Sequence, residues 1–166
     1  MGCKKTLVIG LGNPILGDDG AGWHIAQAAE SLCKNSECED AVKFEKAASG
    51  GLSLMEQMVG YEKVIIADTI ITPEGQVGVI HSKPLGALPN LRTAHSNSSH
   101  DTSLQAALET GRKMKLELPE DVWVVAIEIE PSYTFSEKLS DPVAAAVPEA
   151  AELIQKKVET APVPAL

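Results

Sequence analysis

"TLVIGLGNPILGDDGAGWHIAQAAE" (residues 6–30) runs from an aliphatic stretch through a glycine-rich turn into an amphipathic one. Lys5–Leu11 is β-branched and aliphatic and leads into the turn glycines, which reads as a buried strand. Asp18–Lys34 reads as the helix that follows: an aspartate is offered as cap, and Ile25, Ala28, Ala29 and Leu32 recur at helical spacing. A strand passing through a tight turn into a helix is the opening of a parallel α/β sheet. The turn "GLGNPILGDDGAG" (10–22) resembles a phosphate cradle only in part. Its third glycine, Gly17, follows Gly12 by five residues instead of three, and no acidic residue closes the second strand. The adjacent Asp18 and Asp19 would also repel a pyrophosphate at a helix start. A cation is the better guest.

The remaining elements follow from periodicity and punctuation. Val42–Ala48 alternates as a second strand, and a short helix spans about Leu52–Met58 after the turn "SGG". "KVIIADTI" (63–70) is a continuous apolar strand carrying Asp68 at its end. "GQVGVIHSK" (75–83) reads as a fourth strand, reached through "TPEG", a connection too short for a crossover helix and therefore antiparallel. A loop over 84–99 is long enough to suggest function. His100–Met114 is predicted helical, 122–130 is the last strand, and 139–160 closes the chain as a helix. Ser140 or Asp141 would cap that helix, with Pro142 in its first turn and Pro148 bending or dividing it.

These elements predict a three-layer α/β sandwich: a five-stranded, mostly parallel twisted sheet in the order 2-1-3-5-4, one strand antiparallel, helices on both faces. One domain is expected over residues 1–166, with a frayed tail from about 160. In such sheets ligands gather beyond the carboxyl ends of the strands at the switch point. There Gly12–Asp19 and Asp68 should face each other.

The 166 residues carry 14 basic and 23 acidic side chains, a net charge of −9, with 44% apolar residues. That field disfavours a nucleic-acid partner. No apolar run approaches the ~20 residues of a membrane span, and a cytoplasmic location is expected. Cys3, Cys33 and Cys38 read as ordinary reduced thiols, because Cys33 and Cys38 have no second pair to complete a zinc site. The helices show no broad apolar outer face, so a monomer is expected.

Asp18/Asp19, Asp68 and His100 form a hard-to-borderline donor set of carboxylates and imidazole. It suits a first-row divalent ion such as nickel, zinc or iron. Each residue also has a plainer role: Asp18 or Asp19 as helix cap, Asp68 as acceptor for backbone donors, His100 as a solvated helix-start residue. His95, in the same loop, competes with His100.

Three segments, "LVIGLGNPILGDDGAG", "VIIADTI" and "SSHDTSLQAALETG", together resemble the landmarks of the hydrogenase maturation endopeptidases. "IEIEP" and "LSDPVAAAVPEA" are similar to that family's late strand and closing helix. The resemblance implies an α/β sandwich and a protease that removes the C-terminal extension from the large-subunit precursor of a NiFe-hydrogenase after nickel insertion. It places the family's metal-contacting residues on Asp19, Asp68 and His100, which would recognise nickel supplied by the substrate, with other divalent cations able to substitute. The same three are the candidate catalytic residues. Many relatives carry glutamate where this chain has Asp19, so the carboxylate reaches about one methylene less far. Asp18 is expected to cap the helix, and "ASGGLSL" (48–54) to admit a substrate backbone.

Two other readings compete. "GLGNP" also opens the peptidyl-tRNA hydrolases, and Asn13 and His24 stand eleven apart; however, His24 is expected inside a helix, packed against the sheet, and the negative charge opposes tRNA. A non-cleaving factor that binds nickel and the hydrogenase subunit is the second alternative. "HSNSSHDTS" (95–103) contains Ser, His and Asp, but local spacing establishes no triad.

Overall fold

The computed structural model describes residues 2–87, 103–132 and 134–160. Five strands form one sheet: β1 (Thr6–Leu11), β2 (Val42–Ala47), β3 (Lys63–Ile70), β4 (Ile80–Pro84) and β5 (Asp121–Glu128). Their order is β2-β1-β3-β5-β4, with β4 alone antiparallel, as the connection lengths require. Among the described residues four α-helices cover it: α1 (Ala21–Cys33), α2 (Gly51–Gln57), α3 (Leu104–Lys113) and α4 (Asp141–Glu159).

Alternation along the strands builds two cores. Val8, Ile65, Val125 and Ile127 pack with Ile25, Ala29, Ala150 and Ile154 of α1 and α4. Leu7, Ile9, Ile66 and Val124 pack on the opposite face with Leu54, Met55 and Leu108 of α2 and α3. β1 and β3 are buried along their whole length, as expected for central strands covered on both sides.

Several local expectations are corrected. The 75–83 strand begins only at Ile80. Gly78 adopts φ +92° and residues 72–79 close turns through Gly75 N–H to Thr72 O and Val79 N–H to Gln76 O, so the apolar alternation there is not extended chain. The helix expected from Asp18 opens instead as a 3-10 turn, Gly17–Gly20, and becomes α-helical at Ala21 without any side-chain cap. Pro148 does not divide α4, which runs unbroken from Asp141 to Glu159 with Pro142 in its first turn. Ser103 caps α3, accepting from Ala106 N–H at 3.2 Å; the start expected at His100 lies outside the described residues, as does the tail after 160.

The cysteines are not all reduced thiols. Cys3 and Cys38 form a disulfide across 35 residues of chain, because α1 returns the chain to the end of the sheet where β1 begins. Cys33 is free and buried, and burial pushes its thiol up to about 11.

The first turn is held at minimal clearance. A Cβ on Gly22 would lie 2.1 Å from the carbonyl oxygen of Leu11 and 2.5 Å from that of Ala67. Both obstacles are backbone, so relief requires moving β1, β3 or α1. Gly22→Ala is therefore expected to cost about 2–3 kcal/mol, read as a lower urea midpoint. An unchanged midpoint would show that α1 is not seated against both strand ends.

Candidate functional site

The last residue of β1 to pair with β3 is Gly10, opposite Ala67. Asp68 is the next residue of β3, so it stands where β1 parts from β3, at the fork between the two strands. It lies two residues inside β3, not at its end, and is paired on its other side with Ala126. Alternation puts Asp68 on the same face as Val64, Ile66 and Ile70, the face covered by α2 and α3. Its side chain is fully buried, and Oδ1 accepts from the Thr69 N–H at 2.7 Å.

The turn after β1 folds back to this fork. Gly22 sits against the carbonyl of Ala67, the residue before Asp68. Gly12, at φ +148°, passes so close to Asp19 that a Cβ would lie 2.2 Å from the Asp19 carbonyl oxygen. A side chain there is excluded by space as well as by conformation. Gly12 N–H bonds to Ala47 O at 3.1 Å, and Trp23 Nε1 donates to the same carbonyl at 3.2 Å. The turn is thus fastened to the carboxyl end of β2 as well.

The two adjacent carboxylates take different tasks. Asp19 is half-buried, and its Oδ2 accepts from Asn13 N–H at 3.1 Å. Asp18 was expected to cap the helix and does not. Its Oδ1 accepts from Ser140 N–H at 2.6 Å and its Oδ2 from Ser140 Oγ at 2.8 Å, across 122 residues of chain. The pair joins the first turn to the start of α4. Strand-like contacts reinforce the junction: Leu16 bridges Ser136, Gly17 N–H donates to Ser136 O at 2.6 Å, and Ser136 N–H donates to Ile15 O at 2.9 Å.

The structure therefore brings the Asp19 turn and Asp68 to one edge. His100, the third expected ligand, and His95 lie outside the described residues. Among the described residues no three His, Cys, Asp or Glu side chains group to hold a metal ion. His24 is corrected: it lies within α1 but is exposed, lining a surface depression with Gln27, Ser31 and Val147 instead of packing on the sheet. Asn13, its supposed partner, is engaged in the turn, where its Oδ1 accepts from Ile15 N–H at 3.2 Å.

One polar cluster was not foreseen. Glu128, the last residue of β5, is buried. Its Oε2 contacts His81 Nε2 at 2.9 Å, while Oε1 accepts from Thr72 N–H at 3.1 Å and from Thr72 Oγ1. A Cβ on Gly75 would overlap the carboxylate. Glu128 thus pins the β3–β4 connection to the end of the sheet. Burial would raise its carboxyl, but hydrogen bonds from Thr72 and His81, together with the charge interaction with His81, outweigh it and hold the group below its ordinary value of 4.5. Alternation sets Glu128 on the face of Val124 and Ala126, opposite Ile127 and Ile129, and both faces of β5 are covered.

Comparison with known proteins identifies the family and the fold. A family model described as hydrogenase maturation protease matches residues 26–157; the match includes Asp68 and His100 and begins after Asp19. The fold is similar to that of the hydrogenase maturating endopeptidase HybD from E. coli, with a TM-score of 0.68, 21% identity, and coverage of 93% of this chain and 91% of that one. It is similar to the hydrogenase 2 maturation peptidase from Thaumarchaeota archaeon SCGC_AB-539-E09, with a TM-score of 0.62, 25% identity, and coverage of 94% and 99%. The maturation protease HycI from Thermococcus kodakarensis KOD1 gives a TM-score of 0.67 at 19% identity, with 96% and 95% covered. No curated protein matches the sequence.

Because the Glu128 carboxyl titrates below its ordinary value in the folded state, its contribution is complete above about pH 4.5 and is lost as pH falls through the folded value. Glu128→Gln should therefore cost about 1–3 kcal/mol at pH 7, and the gap to wild type should narrow below about pH 4.5. Urea melts at pH 7 and pH 3.5 test this; a gap independent of pH would refute the assignment.

Proposed function

The chain belongs to the hydrogenase maturation proteases, and on that premise we propose that it removes the C-terminal extension of the large-subunit precursor of a NiFe-hydrogenase after nickel insertion. Asp19, Asp68 and His100 engage the nickel that the precursor already carries. The observation that supports this reading is the β1/β3 fork: Asp68 is the first residue past the last β1–β3 pair, and Gly22, three residues after Asp19 at the start of α1, lies against the carbonyl immediately before it. His100 lies three residues before the Ser103 cap of α3, and α3 packs on the face to which Asp68 belongs.

The donor chemistry fits a substrate-borne first-row ion. Two carboxylates and an imidazole leave coordination positions for the ligands the precursor supplies, and other divalent cations can substitute. Asp19 comes from a turn fixed on three sides, so it meets the incoming ion without reorganising. Two chemical routes to cleavage follow. The ion polarises the scissile carbonyl or activates water, or Asp19 or Asp68 accepts the proton of the attacking water. The proposal includes a cytoplasmic, monomeric enzyme with no nucleic-acid or membrane partner; no described helix is long and apolar enough to cross a membrane.

Incubation of the purified protein with nickel-loaded precursor should yield a shortened large subunit. A stable complex without shortening would support the non-cleaving binder instead. Asp19→Asn, Asp68→Asn and His100→Ala should each lower the processing rate at least about 100-fold, with native circular dichroism retained. Near-normal processing by any of the three removes that residue from the site.

A further inference from the structure

Resting on that reading, we infer that Ile15 and Phe135 form a rigid apolar platform beside Asp19 that seats an apolar stretch of the hydrogenase precursor next to its scissile bond. Ile15 is 47% exposed and Phe135 79% exposed. Single exposed apolar side chains are ordinary on protein surfaces. These two are not isolated, because the loops that carry them are latched together. Ser136, the neighbour of Phe135, donates its N–H to Ile15 O at 2.9 Å and accepts from Gly17 N–H at 2.6 Å. The Asp18–Ser140 pair closes the same junction.

The platform is continuous with the candidate site. Ile15 N–H donates to Asn13 Oδ1, and Asn13 N–H donates to Asp19 Oδ2. Two hydrogen bonds therefore separate the Ile15 backbone from the carboxylate. The substrate of this site is a polypeptide, which must be gripped along its length for one bond to be placed. The chain's net charge of −9 offers no attraction to an acidic segment, whereas exposed aromatic and aliphatic groups on a fixed backbone bind an apolar one at low entropic cost. Met114, 65% exposed after α3, serves as a comparison. It lies toward the opposite end of the sheet, where Glu117 O accepts from Gly60 N–H ahead of β3.

The test is steady-state processing of nickel-loaded precursor by Ile15→Ser, Phe135→Ser, the double variant and Met114→Ser. Both platform side chains are exposed, so the variants should melt within a few degrees of wild type. KM should rise about tenfold for Phe135→Ser and further in the double variant, with kcat within twofold; Met114→Ser and the conservative Phe135→Leu should keep the wild-type KM. A double variant with KM within twofold of wild type, a loss confined to kcat, or an equal rise in Met114→Ser would overturn the inference. Should wild type bind the precursor without cutting it, the protease reading fails, and the Kd of that complex replaces KM in the same comparison.

Discussion

Everything at the carboxyl end of this sheet depends on the absence of clearance between the first turn and the strands it leaves. Gly22 lies on the carbonyls of Leu11 and Ala67, and Gly12 passes directly against the carbonyl of Asp19. With side chains at these positions, α1 would have to stand off from the sheet and the turn would lift away from β3. The glycines that suggest a phosphate cradle serve close packing here. What the turn offers at this edge is then two acidic side chains, Asp18 and Asp19.

The division of labour between the two aspartates follows from that packing. A turn of this length has several backbone groups to satisfy, and the two carboxylates bond different donors. Asp18 is spent on the anchor: its two oxygens take both donors of Ser140, at the start of α4. Asp19 stays within the turn, steadied by the Asn13 amide. Charge-assisted hydrogen bonds of this kind hold geometry more firmly than neutral ones. A rigid turn suits the proposed role, because an adjustable ligand would have to be ordered at each encounter with a metal-bearing precursor.

The architecture was legible because connection length and burial constrain it tightly. "KVIIADTI" is apolar on both faces and is central; the short link to β4 forbids a parallel crossover and is antiparallel. Asp68 was legible as a carboxylate in an apolar strand, although its place two residues before the strand's end depends on β5, which keeps pairing with β3 through Ile70. Interactions between distant segments were not legible. Nothing local marks Asp18 as the partner of Ser140, Glu128 as the partner of Thr72 and His81, or Cys3 as the partner of Cys38. Lys63 is a similar case. It opens an apolar strand as a charged residue and is buried, its ammonium donating to the Lys157 and Thr160 carbonyls at the end of α4. Burial lowers its pKa, and the nearby Asp121 charge offsets part of that shift.

Lys63 and Asp18 together explain why α4 matters to a site to which it contributes no proposed ligand. The helix is held at both ends by charged groups from the first half of the chain: at Ser140 by the turn after β1, and at Lys157–Thr160 by the first residue of β3. Between them, Val143, Ala150 and Ile154 are fully buried in the core shared with α1. A helix fixed at two ends and along one face cannot slide relative to the sheet. The segment leading into it, 134–140, is therefore fixed against residues 15–18. The closing helix acts as a strut: it sets the position of the loop beside Asp19 from the far end of the chain. That loop is held directly by Asp18, Ile15 and Gly17 and, through α4, by Lys63 at the opening of β3.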